Sequence, residues 1–342
     1  MKTKLALLFI LLGIVSVLVI PLSESSAQEK VVNLRFSNYF PGPHQNNIIM
    51  ENWCKEIEKR TNGKVKWSYY AAATLTPPVQ TYDSVVKGIA DAGESLLGFN
   101  RGKFPLTEAI DLPLGAKTGY LATKMINAYY AKFKPKEFDE VKVMYLHCYG
   151  PALIWTKNKA VNKLEDLKGL KIRSHGLSAK VVQALGAAPV GMPMNETYDA
   201  ISRGVAEGVM CPTEAMKGWK LGEVCGYGIE SYGTAQSAGF YIVMNKGKWN
   251  ALPSDIQKTI ETINGEWMEK QGKLWDEIDK EGRDVFIQSG KKFIALSSEE
   301  SARWASKMGP ILDEYVKEMK AKGLPGEEAL KFCQDYLKAN QK

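Results

Sequence analysis

Histidine is scarce in this chain. Only His44, His147 and His175 occur among 342 residues, and no two of them stand at metal-ligand spacing. HExxH is absent as well, so metal ligation is not expected. No GxSxG occurs, which leaves an elbow-type serine nucleophile without support. The opening strand–helix–strand segment carries neither GxGxxG nor a P-loop, so nucleotide binding lacks support and no cofactor is expected. Cysteines number five, an odd count, with no CxxC. A disulfide scaffold is not expected in a chain with this much apolar sequence, and buried free thiols are the favoured reading. Cys211 with Cys225 is the one pair left open. The formal charge is +7, yet no block of like charges stands out. Lys and Glu interleave along the helical segments, which reads as a solvated surface and not as a nucleic-acid face.

One long apolar run is present, at the start. Lys2 and Lys4 precede the run 5–20, Pro21 breaks it, and Ser25-Ser26-Ala27 supplies small residues. This reads as a secretory signal, residues 1–27, cleaved before Gln28. The alternative is an uncleaved anchor. No Cys follows the run, so no lipid attachment is expected. No later stretch is apolar enough to span a bilayer. The expected mature protein is therefore exported and soluble.

Residues 164–212 organise the rest. Short strands at 170–173, 188–190 and 205–210 alternate with helical segments at 178–185 and 195–203. That alternation predicts βαβ units and a parallel sheet. Part of the stretch occurs twice: TYDSVVKGIADA at 81–92 and TYDAISRGVAEG at 197–208. A helix–Gly–strand unit used twice predicts two similar α/β lobes with a cleft between them. FYIVMN at 240–245 reads as a buried strand. Ser254 with Gln257 fits a capping box opening a long helix, and Ser297 with Glu300 opens another through about Lys322. Long C-terminal helices are expected to bridge the lobes.

Arg173 stands where a strand gives way to its loop, and ligands of open α/β sheets bind outside such ends. Its planar fork can bind a carboxylate bidentately, which Lys cannot do. The competing reading is a surface ion pair. His175 reads as an exposed loop residue. Glu94 follows its strand at the cleft-facing end, and Glu94 with Glu214 could pair as acid and base, the basis of an alternative reading as a secreted hydrolase. Cys211 has no His near it in sequence and reads as a structural thiol.

Five stretches now resemble a family: TNGKVKWSYYAAATL, VVKGIADAGES, LEDLKGLKIR, ALGAAPVGMPMNETYDAISRGVAEG and FYIVMNKGKWNALPSDIQ. Together the chain resembles the dicarboxylate-binding (DctP-like) solute-binding proteins of tripartite ATP-independent periplasmic (TRAP) transporters. The resemblance implies a two-lobed periplasmic-binding-protein fold of type II-like α/β class, with lobe I at 28–150 plus 237–276 and lobe II at 151–236 plus 277–342. It implies no enzyme, a periplasmic location, an organic-acid ligand and a membrane permease as partner. A monomer is expected, and an ABC-type binding protein is a further alternative. Arg173 matches the arginine that clamps the ligand carboxylate, and Glu94 matches an acidic pocket position. Met194 falls where an aromatic often stacks, and Cys211 falls where Asn is usual, before Pro212. Gly150-Pro151-Ala152-Leu153 lacks a second arginine found in sialic-acid members. A pocket with fewer polar groups suits a monocarboxylate with an apolar or aromatic body. Tyr39, Phe40, Trp155 and Trp219 are expected to line it, with Glu214 nearby.

Overall fold

The structure is a computed structural model. It describes residues 31–100 and 102–341. The expected export segment, 1–27, lies outside the described residues. The chain runs β1 (Val32–Asn38), α1 (Gln45–Arg60), β2 (Val65–Tyr70), α2 (Thr81–Val86), β3 (Ala92–Leu96), α3 (Gly119–Phe133), β4 (Val141–Cys148) and β5 (Leu153–Thr156). It continues through α4 (Leu164–Leu167), β6 (Lys171–Ser174), α5 (Ser178–Ala184), β7 (Ala188–Gly191), α6 (Thr197–Ser202), β8 (Gly208–Cys211), α7 (Ala215–Gly218) and β9 (Tyr227–Glu230). The last part is β10 (Gly239–Asn245), α8 (Lys246–Asn250), α9 (Ser254–Gln288), β11 (Lys292–Ala295), α10 (Ser298–Ser306), α11 (Gly309–Ala321) and α12 (Gly326–Asn340).

The described strands form two sheets, ordered β2-β1-β3-β10-β4 and β11-β9-β5-β8-β6-β7. Each is the centre of one α/β lobe. Neither is the wholly parallel sheet that the alternation of strands and helices predicts. β10 enters the first sheet antiparallel to both β3 and β4, and β5 enters the second antiparallel to both β8 and β9. β10 comes from far down the chain, after the second sheet has begun. Its apolar run is buried on both faces, as a central strand requires.

The repeated segment builds the same unit in both lobes. A 3-10 turn at Pro78–Gln80 leads into α2, and one at Met194–Glu196 leads into α6. The hydroxyls of Thr81 and Thr197 each donate to the carbonyl of a proline four residues back, Pro77 and Pro193. Gly88 and Gly204 follow the helices at φ +74° and +76°, the left-handed turn that releases the chain into β3 or β8. β3 then lies parallel to β1 and antiparallel to β10, and β8 lies parallel to β6 and antiparallel to β5.

The 35-residue α9 crosses both lobes. Its first half packs on α1 and α3: Trp53 donates to Asn264, Trp267 to the Ile49 carbonyl, and Gln271 to Asn46. Its second half packs on α7, and Phe286 meets Trp155 of β5 edge-on at 5.0 Å. The expected capping box at its start does not form. Pro253 is the N-cap without a side-chain bond, and the Gln257 amide turns back to the carbonyls of Trp249 and Leu252. The Ser297 cap does form, on the Glu300 amide, but the helix it opens ends at Ser306. Pro310 near the start of α11 cannot continue the hydrogen-bond ladder, so α11 is a separate helix. α12 does not pack on the second sheet. Phe332 sits edge-on to Tyr129 and Phe133 of α3, which covers the first sheet. α11 touches both sides: Lys180 of α5 pairs with Glu314 and Glu318, while the Tyr315 hydroxyl donates to the Leu106 carbonyl.

Candidate functional site: a buried arginine facing a ring-lined cavity

The ends of β1, β3, β4, β6 and β8 converge on one cavity. Tyr39 and Phe40 reach it from the turn after β1, Leu96 and Phe99 from the end of β3, and Tyr149 from the end of β4. Phe240 of β10 and Trp275 of α9 complete that side. Arg173 and His175, Met194, Cys211, Pro212, Glu214 and Trp219 face them from the other lobe. At one rim the lobes meet with bare backbone. A Cβ on Gly176, at φ +48°, would lie 3.0 Å from the Gly98 Cα, so only glycine fits this approach.

Arg173 is fully buried, not the surface residue of the competing reading. Nε and Nη2 both donate to the Met192 carbonyl, at 3.0 and 2.8 Å. Nη1 has no partner, and no carboxylate among the described residues forms an ion pair with it. Burial pulls its pKa below that of a free guanidinium, though arginine keeps its charge in proteins. The Met192 bonds occupy one edge of the fork. The other edge, Nη1 with the second Nη2 hydrogen, is the pair that a carboxylate can take bidentately.

The rest of the lining is mostly rings. Trp219 stacks on Tyr39 at 5.9 Å and tilts against Phe40 at 5.7 Å. Phe240 stacks on Trp275 at 5.5 Å. Met194 and Cys211 add soft apolar surface, and burial pushes the Cys211 thiol well up, so it stays protonated. Cys211 and Cys225 are both free, as are the other cysteines. Trp155 is not at the site. It lies in the second lobe's core between Phe286 and Phe293, and its indole donates to the Cys211 carbonyl from behind. Its β5 position turns the side chain toward α9, away from the cleft.

The two carboxylates are held apart by different histidines. His44, at the N-cap of α1, accepts the Asn46 amide on Nδ1, so its Nε2–H donates to Glu214 at 3.0 Å across the cleft. Glu94 accepts from His147 Nε2 at 3.0 Å, fully buried inside the first lobe. Glu94 is not among the cavity-lining residues, contrary to its expected pocket position: it is fully buried behind His147, the ring that Phe240 and Trp275 pack against. His175 is buried, not an exposed loop residue, and stands edge-on to Phe99 at 5.5 Å. Burial and the Arg173 charge hold it neutral. Sequence reasoning missed Phe99, Tyr149, Phe240 and Trp275 as lining residues. Phe240 stood in a run that reads as a buried strand, and Trp275 fell inside the expected long helix with nothing to single it out.

A ligand cleft between two α/β lobes, closed over one buried guanidinium and crossed by a long helix, defines the class of two-lobed solute-binding proteins. Residues 36–318 match the family model described as bacterial extracellular solute-binding protein, family 7 (DctP), and the chain belongs to that family. It is a solute-binding protein of the TRAP type. Among solved structures it resembles a TRAP periplasmic solute-binding protein from Desulfovibrio salexigens at 32% identity, covering 91% of this chain and 97% of that one, with a TM-score of 0.80. That structure is open, with the C-terminus of a symmetry mate in its ligand-binding site. A marine-metagenome TRAP protein specific for aromatic acid ligands, in complex with metahydroxyphenylacetate, is 27% identical over 91% of this chain and 100% of that one, at TM-score 0.86. A Rhodoferax ferrireducens TRAP protein with copurified benzoate is 26% identical over 90% and 98%, at TM-score 0.84. Among the described residues no helix is long and apolar enough to cross a membrane.

Proposed function

We propose that this chain is a periplasmic receptor that captures a monocarboxylate with an apolar or aromatic body and delivers it to a TRAP membrane permease. Arg173 clamps the carboxylate, and the rings of the cleft hold the body. One observation carries this reading: a fully buried guanidinium with an unpartnered Nη1 and, among the described residues, no ion pair to a protein carboxylate. An uncompensated buried charge is costly by several kcal/mol, and a ligand carboxylate is the group that offsets the cost. The aromatic acids bound by similar proteins support the choice of body. Residues 28–150 with 237–276 form lobe I and 151–236 with 277–342 supply lobe II, with α12 returning to dock on lobe I. The receptor acts as an exported monomer after loss of residues 1–27. A hydrolase using Glu94 and Glu214 finds no support, since Glu94 does not line the cavity and each carboxylate is engaged by its own histidine.

Thermal unfolding with a panel of acids tests this. A ligand that binds only the folded state raises the midpoint. Benzoate, hydroxyphenylacetate and mandelate should raise it, and sugar acids should not. A panel in which glucuronate stabilises and aromatic acids are inert would overturn the reading.

A further inference from the structure

Trp275 lines the cavity with an indole whose polar atom is turned away from it. Its Nε1–H donates to His147 Nδ1 at 2.9 Å. Indole nitrogen is a donor only, so Nδ1 carries no proton, and the ring's one proton sits on Nε2. That proton points to Glu94 Oε1 at 3.0 Å. Glu94 stands on β3 and His147 on β4, so the bond reaches over β10 between them. His147 also lies parallel to Phe240, 4.7 Å away. Glu94 and His147 show no exposure and Trp275 only 1%.

We propose that Glu94 and His147 are positioning residues for the ligand, acting through Trp275: the hydrogen-bonded chain sets the indole as the wall on which an aromatic acid lies. This rests on the reading of the cavity as an organic-acid site. Without the chain the indole N–H would be an unsatisfied donor in an apolar wall, free to rotate toward the cleft. Burial pushes the Glu94 carboxyl well above the ordinary carboxylate range and holds His147 down to about 3, so the imidazole stays neutral near pH 7. Asn38 of β1, paired in register with Glu94, is the other polar group acting on that carboxyl.

The test combines the indole ¹⁵N–¹H resonance of Trp275, assigned by its loss in Trp275→Phe, with calorimetry of benzoate. His147→Phe keeps the ring packed on Phe240 and removes both nitrogens. It should move the Trp275 resonance and weaken benzoate roughly three- to tenfold, the scale of one neutral hydrogen bond. In the Trp275→Phe background the same change should add nothing. Glu94→Gln keeps an acceptor for Nε2–H, and should leave the resonance in place and the affinity within about twofold. Should His147→Phe fail to fold, Glu94→Leu frees the imidazole and should move the resonance instead. An unmoved Trp275 resonance in His147→Phe or Glu94→Leu, or an equal loss of affinity with and without Trp275, would overturn the relay. A wild-type protein that binds no acid would overturn the reading of the cavity, while the resonance would still judge the relay.

Discussion

The two lobes are built from the same repeated unit but bring unlike chemistry to the cleft. The first lobe, with α9, offers rings: Tyr39, Phe40, Phe99, Phe240 and Trp275. The second offers the charge, Arg173, with His175, Met194 and Cys211 around it. Since β3 and β8 hold equivalent places in their sheets, the difference lies in the segments after the strand ends. Two residues break the division. Glu214 and Trp219 both follow β8 and both reach across, to His44 and to Tyr39 with Phe40. On the proposed function, recognition of the carboxylate and recognition of the body should be separately changeable, with a third set of contacts governing closure.

The largest expected effect comes from the charged side. Arg173→Ala should lower affinity for every acid in a panel by about tenfold to a thousandfold, because each charge-assisted bond is worth roughly 1.5–3 kcal/mol. Calorimetry across aromatic and short aliphatic acids checks that the loss does not depend on the body. On the ring side the effect should be smaller and selective. Phe240→Leu should cost aromatic acids roughly three- to tenfold, the scale of one aromatic pair, and leave propionate nearly unchanged. Equal losses for both ligands would erase the division between the lobes. The crossing contact comes next. His44→Phe removes the bond to Glu214 and should speed ligand release by about two- to tenfold with little change in association, which stopped-flow fluorescence can separate.

The smallest effect concerns the seam, where Asp279 of α9 accepts the Glu214 amide at 2.8 Å and lies against Gly150. Burial, together with the charges of Glu214 and Asp276, pushes its carboxyl up to about 8. An unfolded Asp releases its proton near 3.9. Between those values the folded state holds a proton that the unfolded state has lost, so stability falls as pH rises through this window. Asp279→Asn keeps the acceptor and removes the titration. Urea midpoints should decline less steeply from pH 5 to 8 in this variant than in the wild type.

Much of this is legible in the sequence. The repeat announced two lobes because its glycines stand where a helix must release into a strand. The place of Arg173 at the cavity was legible because strand ends in an α/β sheet open on the cleft. Depth was not. Strand periodicity assigns Glu94 to a face, but whether that face opens on the cleft depends on Trp275 and Phe240, which are far away in sequence. Trp155 failed for the same reason, since α9 covers it. The reversed strands β5 and β10 were invisible because an apolar run carries no direction. The break before α11 could have been read from Pro310, which stands inside the expected helix.

The central claim is that a buried guanidinium with an unpartnered Nη1 and no ion pair among the described residues waits for a ligand carboxylate. Calorimetry of benzoate and its neutral analogue benzamide, on wild type, Arg173→Lys and Arg173→Ala, tests it most directly. Wild type should bind benzoate far more tightly than benzamide, Arg173→Lys should keep part of that preference, and Arg173→Ala should bind both about equally weakly. A folded Arg173→Ala protein, judged by circular dichroism, that holds benzoate as tightly as wild type would contradict the claim.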